Sequence, residues 1–107
     1  MDADTRRERH FHAAMKDIYP QTARLGYHPT GLRKMVHDHG GVEAAHRLLA
    51  APEAQSGLTE LWLLGRIDLS MEHLVLTPEF APLFSAEERS RARARLDQVG
   101  AGLRPSP

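Results

Sequence analysis

Two segments decide the fold class of this chain: Leu25-Gly-Tyr-His-Pro-Thr30 and Gly40-Gly-Val-Glu-Ala-Ala-His-Arg-Leu-Leu49. In the first, Gly26 fits the left-handed residue that ends a helix, and Pro29 with Thr30 marks the start of another. In the second segment, the two glycines end the helix that starts near Thr30 and permit a sharp turn into the next helix. Short helices separated by glycine breaks predict a compact helical bundle and leave little room for a sheet.

The same helical spacing is found upstream of these segments. A helix over residues 5–24 is predicted from the stripe of Phe11, Met15, Ile18, Thr22 and Leu25. Pro20 lies within it, lacks an N–H and crowds the carbonyl of the preceding turn. We therefore expect a kink or a break at Pro20.

Cap signals divide the downstream half of the chain. Ser56 and Ser70 are the predicted N-caps of two helices, the first of which stops at Gly65. Ser85-Ala-Glu-Glu88 is a capping box that opens the last helix. That helix is expected to stop at Gly100.

The predicted fold is all-α, a compact orthogonal bundle of five or six short helices. Residues 1–99 are predicted to form a single helical domain, and residues 100–107 a flexible C-terminal tail. The predicted core holds Trp62, Phe11, Leu61, Leu74, Phe84 and Leu96.

Composition narrows the function classes. The 107 residues include 14 basic and 14 acidic side chains and 0 cysteines, so disulfides and cysteine zinc sites are excluded. No apolar run reaches the length of a membrane span, and Asp2 and Asp4 follow Met1 where a secretory signal would be basic. We expect a cytoplasmic protein. Without a phosphate loop, a nucleophile elbow or a histidine zinc motif, we expect no enzyme and no cofactor.

The leading hypothesis is a non-enzymatic helical adaptor that binds a protein partner or a second copy of itself. Pro78 and Pro82 bracket an irregular apolar segment, and an exposed patch there would supply the surface. The predicted partner-binding residues are Phe80, Leu83 and Phe84.

The alternative is a nucleic-acid-binding accessory domain. Its predicted surface is an arginine series on the last helix with three further basic residues: Arg89, Arg91, Arg93, Arg95, Arg33, Lys34 and Arg47. The balanced total charge argues against it, and pairing with Glu87, Glu88 or Asp97 would make the series an ordinary solvated face. Residues 30–50 could also be a helix–turn–helix. However, only Glu43, His46 and Arg47 of its second helix are polar, so ordinary packing is favoured.

Two sets of residues could carry metal chemistry, and neither has a metal-binding motif. His39 and His46 could approach across the double glycine, with Asp38 or Glu43 as a third ligand of a metal-dependent hydrolase. Asp68 and Glu72 could share a helix face as a carboxylate pair, although helix capping and pairing with Arg66 explain them more simply. We therefore predict no metal site.

A set of short motifs carries a family resemblance over about residues 11–96. The motifs are Leu25-Gly-Tyr-x-Pro-Thr30, Met35-Val36, Gly40-Gly-Val-Glu-Ala-Ala45, Leu48-Leu49, Gly65-Arg-Ile-Asp-Leu-Ser-Met-Glu72, Leu83-Phe84 and Glu87-Glu88. Together they resemble a family of small bacterial all-helical domains of unknown activity, which also occur attached to HNH-type nucleases and restriction-like proteins. Pro20 departs from the continuous first helix of that family, and the nuclease signatures are absent. The resemblance implies an accessory role in DNA processing or phage defence.

Overall fold

The structure, a computed structural model, describes residues 2–51 and 57–103. These residues form α-helices and two 3-10 turns, Ile67–Leu69 and Ala81–Leu83, and no strand, which confirms the all-α prediction. The α-helices in this part of the chain are α1 (Ala3–Ala23), α2 (Thr30–His39), α3 (Gly41–Ala50), α4 (Gly57–Leu63), α5 (Met71–Leu76) and α6 (Ala86–Leu103). No helix in it is long and apolar enough to cross a membrane.

Helix α1 begins at an aspartate cap and passes through Pro20. The Asp2 carboxylate accepts a hydrogen bond from the Thr5 backbone N–H at 2.8 Å. The sequence predicts a kink or a break at Pro20. The structure shows no break, since α1 continues through Pro20 to Ala23. Pro20 removes one helical hydrogen bond and lies in the last turn, so little of the helix follows the residue that disturbs it. The chain turns after the end of the helix, at Gly26, whose φ is 86°.

The double glycine has two separate structural roles. Gly40 ends α2 with a φ of 82°, a conformation that side chains disfavour. Gly41 begins α3 directly against α1, and a Cβ there would lie 2.7 Å from the Cα of His12. Its backbone N–H donates to His12 Nδ1 at 2.8 Å. The sequence signal for a sharp turn is therefore also the contact that joins α1 to α3.

Side-chain caps begin the later helices. Ser70 Oγ accepts from the His73 backbone N–H at 3.0 Å, which confirms the predicted N-cap of α5. The capping box of α6 is also present: Ser85 Oγ accepts from the Glu88 N–H at 3.1 Å, and Glu88 Oε1 accepts from the Ser85 N–H at 2.9 Å. The predicted N-cap at Ser56 lies outside the described residues.

Two helix ends follow glycine differently. Helix α4 ends at Leu63, and Gly65 follows it with a φ of 69°, as the sequence predicted. Helix α6 instead continues through Gly100 to Leu103, so the stop predicted there is wrong. A glycine inside a helix costs only about 1 kcal/mol, so it weakens a helix without ending it. Residues 100–103 of the predicted tail are thus helical, and 104–107 lie outside the described residues.

The core is built around α1 and the segment between α5 and α6. Phe11 is fully buried, and its ring centroid lies 5.2 Å from those of both Phe80 and Phe84 in edge-on geometry. The predicted core residues Phe11, Leu61 and Phe84 are buried. Trp62 is 37% exposed, so its predicted place in the core is wrong. Leu58 and Leu61 form the buried side of α4, and Trp62 lies about 100° around the helix from Leu61.

Candidate functional site

The arginine series of α6 does not form one surface. Arg95 is only 7% exposed, which corrects its predicted place on a basic face. Its guanidinium donates to the backbone carbonyls of Leu48 at 3.0 Å and Ala51 at 2.8 Å. The last carbonyls of a helix have no partner within the helix, so Arg95 acts as a C-terminal cap of α3 from a distant helix.

Two more of these arginines bond to the protein itself. Arg91 donates to the carbonyl of Leu49 at 3.1 Å and to Glu87 Oε1 at 2.9 Å. Arg89 donates to the carbonyl of Ala81 at 3.1 Å and to that of Phe84. Among the described contacts, Arg93 makes no such bond, and its side chain is exposed. Three of the four arginines therefore form hydrogen bonds that connect α6 to the end of α3 or to the segment around the Ala81–Leu83 turn.

Glu72 lies beside Arg95 in the interior. Its Oε2 is 3.6 Å from Arg95 Nη1, and no described residue gives that oxygen a hydrogen bond. Burial raises the pKa of Glu72, against the opposing effect of Arg95. Asp68, the other half of the considered carboxylate pair, forms a two-bond contact with Arg66 at 3.0 and 3.1 Å. The two carboxylates thus have separate cationic partners.

The predicted partner-binding segment is part of the core. Phe80 and Phe84 are only 6% and 4% exposed, and Leu83 packs against the same buried cluster. The prediction of an exposed patch at these three residues is therefore wrong, because the rings of Phe80 and Phe84 pack against Phe11 in the core. Three of the four exposed large apolar side chains among the described residues lie instead at the end of α4, at Trp62, Leu63 and Leu64, and the fourth is Leu25.

The histidines considered as metal ligands have other partners. His46 shares a hydrogen bond with Glu88 Oε2, and its ring centroid lies 5.1 Å from that of Phe84. His39 is exposed at the end of α2. Within residues 2–51 and 57–103, no group of three or more potential ligands is placed to hold a metal ion. The structure does not bring His39 and His46 together as a site.

Glu88 links two elements through one carboxylate. One oxygen completes the capping box with Ser85, and the other meets His46 of α3. Burial alone would raise the pKa of Glu88, but the hydrogen bonds from His46 and from Ser85 outweigh it, so the pKa is lowered. The carboxylate therefore stabilises the fold in its charged form.

Replacing Glu88 tests this double role. Glu88→Ala is expected to lower the free energy of unfolding by about 1–3 kcal/mol, whereas Glu88→Gln keeps the acceptor for the Ser85 N–H and should cost less. Because the pKa is lowered in the fold, this stabilisation exists above the ordinary glutamate pKa and is lost as pH falls through the folded value. Urea unfolding at several pH values measures both effects. Equal losses in the two variants at every pH would contradict the assignment.

The remaining basic residues of the nucleic-acid prediction lie on α2 and α3. Arg47 pairs with Glu43 at 3.1 Å, and Lys34 pairs with Asp38 at 3.2 Å. Arg33 instead lies over the ring of Tyr19, with its guanidinium carbon 4.5 Å from the ring centroid. Of these three, only Arg33 lines a concave surface.

That surface is a groove of about 480 Å³ between α1 and α2. Met15, Leu32 and Val36 supply apolar lining. The basic and imidazole lining residues are His12 and Lys16 of α1 and Arg33 and His37 of α2. No carboxylate of the described residues lines it. Lys16 and Tyr19 were not predicted as residues of this groove, because the spacing of residues along one helix does not show which of them face a second helix.

We compared the chain with protein families, with curated proteins and with solved structures, and no match was found in any of the three. The resemblance to bacterial domains attached to HNH-type nucleases therefore stays a prediction.

Proposed function

We propose that this protein is a non-enzymatic binding module that self-associates through the end of α4. The observation that carries the proposal is the exposure of three consecutive large apolar side chains: 37% for Trp62, 68% for Leu63 and 39% for Leu64. Tryptophan is enriched in the centres of protein interfaces and among the residues that contribute most to binding. Burying them in a second copy removes apolar surface from water.

The charge balance favours a second copy as the partner. The chain carries 14 basic and 14 acidic side chains, so two copies meet without long-range repulsion. The leading hypothesis from the sequence is thus kept, but its surface moves from Phe80–Phe84 to the end of α4. A cytoplasmic location and a role in DNA processing or defence stay predictions from the sequence.

Leu63→Asp tests the proposal directly. It places a charge at the most exposed position of the surface, where folding requires no burial, so self-association should be lost while the fold is kept. Sedimentation velocity should show the wild-type average mass rising above 12.0 kDa with concentration, while the variant stays at the monomer mass. Because the chain has 1 tryptophan, the emission of Trp62 should shift to shorter wavelength as the wild type associates.

Ala94→Asp is the matched control, since it adds the same charge at an exposed position of α6. It should associate like the wild type. A wild type that remains monomeric at every concentration would overturn the proposal, and so would a loss of association in Ala94→Asp equal to that in Leu63→Asp.

A further inference from the structure

The α1–α2 groove has unpaired cations on both of its walls. Some basic side chains on the surrounding helices have a carboxylate partner, such as Lys34 with Asp38 and Arg47 with Glu43. Lys16 and Arg33 take part in none of the ion pairs that the described residues form. Positive charge in a concave surface raises the local concentration of anions. The groove therefore favours an anionic ligand.

The basic and imidazole side chains of the groove form two rows, one on each helix. His12 and Lys16 lie four residues apart on α1, and Arg33 and His37 lie four residues apart on α2. That spacing is about one helical turn, or roughly 6 Å along each axis. A ligand between the rows would need acceptor oxygens pointing toward both walls. A phosphate monoester offers three strong acceptor oxygens in a tetrahedral arrangement, whereas a carboxylate offers two that lie in one plane.

Two side chains at the groove are already positioned by the protein. Arg33 is held over the Tyr19 ring, which restricts its guanidinium before any ligand arrives. His12 Nδ1 accepts from the Gly41 N–H at 2.8 Å. In this bond the neutral ring must carry its proton on Nε2, so the ring keeps one free donor. The double glycine thus also fixes a residue of the groove.

The rest of the lining suits an organic group attached to the phosphate. The half-buried side chain of Leu32 offers an apolar contact, and Tyr19 adds an aromatic ring. The volume of about 480 Å³ lies within the usual range for small-ligand sites. We propose that the α1–α2 groove binds the phosphate of a nucleotide, with Lys16 and Arg33 contacting the phosphate oxygens from opposite walls. Both a free mononucleotide and a single-stranded nucleic acid present this chemistry.

The test is a titration of the full chain at low salt, in which the NMR chemical shifts of the backbone amides are monitored. The probes are adenosine monophosphate, adenosine, inorganic phosphate and a short oligothymidylate. Adenosine monophosphate should shift the amides around Lys16 and Arg33, and adenosine should shift them much less. Binding of the mononucleotide indicates a mononucleotide site. Binding of the oligothymidylate alone, weakened by added salt, indicates a strand-binding site.

Three variants make the assignment specific. Lys16→Gln and Arg33→Gln should each weaken binding by about tenfold, because each removes a charged donor to the phosphate. Arg93→Gln removes the same charge from an exposed position of α6 outside the groove and should bind like the wild type. Equal weakening in Arg93→Gln and Arg33→Gln would overturn the proposal in favour of unspecific charge attraction. If neither adenosine monophosphate nor the oligothymidylate shifted the amides of the groove, the proposal would be overturned altogether.

Discussion

Arg95→Ala is expected to lower the free energy of unfolding by about 3–5 kcal/mol, the range found when one partner of a buried ion pair is removed. The substitution would leave Glu72 without its cationic neighbour at 3.6 Å. It would also leave the carbonyls of Leu48 and Ala51 at the end of α3 without their donor. Buried polar groups that lose their partners have a full desolvation cost. Urea unfolding followed by circular dichroism measures the loss.

Arg93→Ala is the matched control for this prediction. Arg93 lies on the same helix and is exposed, so its replacement should change the free energy of unfolding by less than about 0.5 kcal/mol. Arg95→Lys should give an intermediate loss, since a lysine keeps the charge but has no planar fork to reach several carbonyls. If Arg95→Ala were no more destabilising than Arg93→Ala, the capping role would be wrong.

Glu72→Gln separates the ion pair from the carbonyl caps. The pKa of Glu72 is raised in the fold by burial, so the folded protein binds this proton more tightly than the unfolded chain. The free energy of unfolding therefore falls as pH rises from the ordinary glutamate pKa, about 4.3, to the folded value. Glu72→Gln has no such proton to lose. Its stability relative to the wild type should increase over that pH interval.

Local signals predicted much of this fold. The caps at Ser70 and Ser85 and the break at Gly40-Gly41 depend on hydrogen bonds and backbone angles within a few residues, which the sequence contains directly. The helix end at Gly65 was predicted for the same reason. Such signals say where a helix begins or ends, but not which of its faces meets another helix.

The candidate sites depend on contacts between segments that are distant in the sequence, so the exposure of their residues could not be predicted from local spacing. Arg95 has the spacing of a surface series on α6, yet its carbonyl partners lie on α3, more than forty positions away. Trp62 belongs to the run Leu61-Trp62-Leu63-Leu64, and four successive residues on a helix point in different directions. Lys16 and Arg33 line the same groove only because α1 and α2 pack together.

Phe11→Ala is expected to lower the free energy of unfolding by about 3–5 kcal/mol, the usual cost of removing a buried aromatic side chain. Phe11 is 0% exposed and is the aromatic residue that both Phe80 and Phe84 contact. Its loss would leave a cavity between α1 and the segment that links α5 to α6. The edge-on ring pairs contribute beyond their buried area, so the loss should lie toward the upper end of the range. Urea unfolding measures it.

Leu63→Ala is the control, because Leu63 is 68% exposed and its truncation should cost little. Phe84→Ala then decides between the two interpretations of the Phe80–Phe84 segment. A residue of the core should lose several kcal/mol when truncated, about 3–5 here, with part of that loss shared with Phe11→Ala in the double variant. A docking residue would lose binding and keep its stability. If Phe84→Ala left the free energy of unfolding unchanged, Phe84 would be a surface residue and the Phe80–Phe84 segment could again be the docking site. If part of the loss were shared with Phe11→Ala, Phe84 would be a core residue, and the end of α4 would be the apolar surface open to a partner.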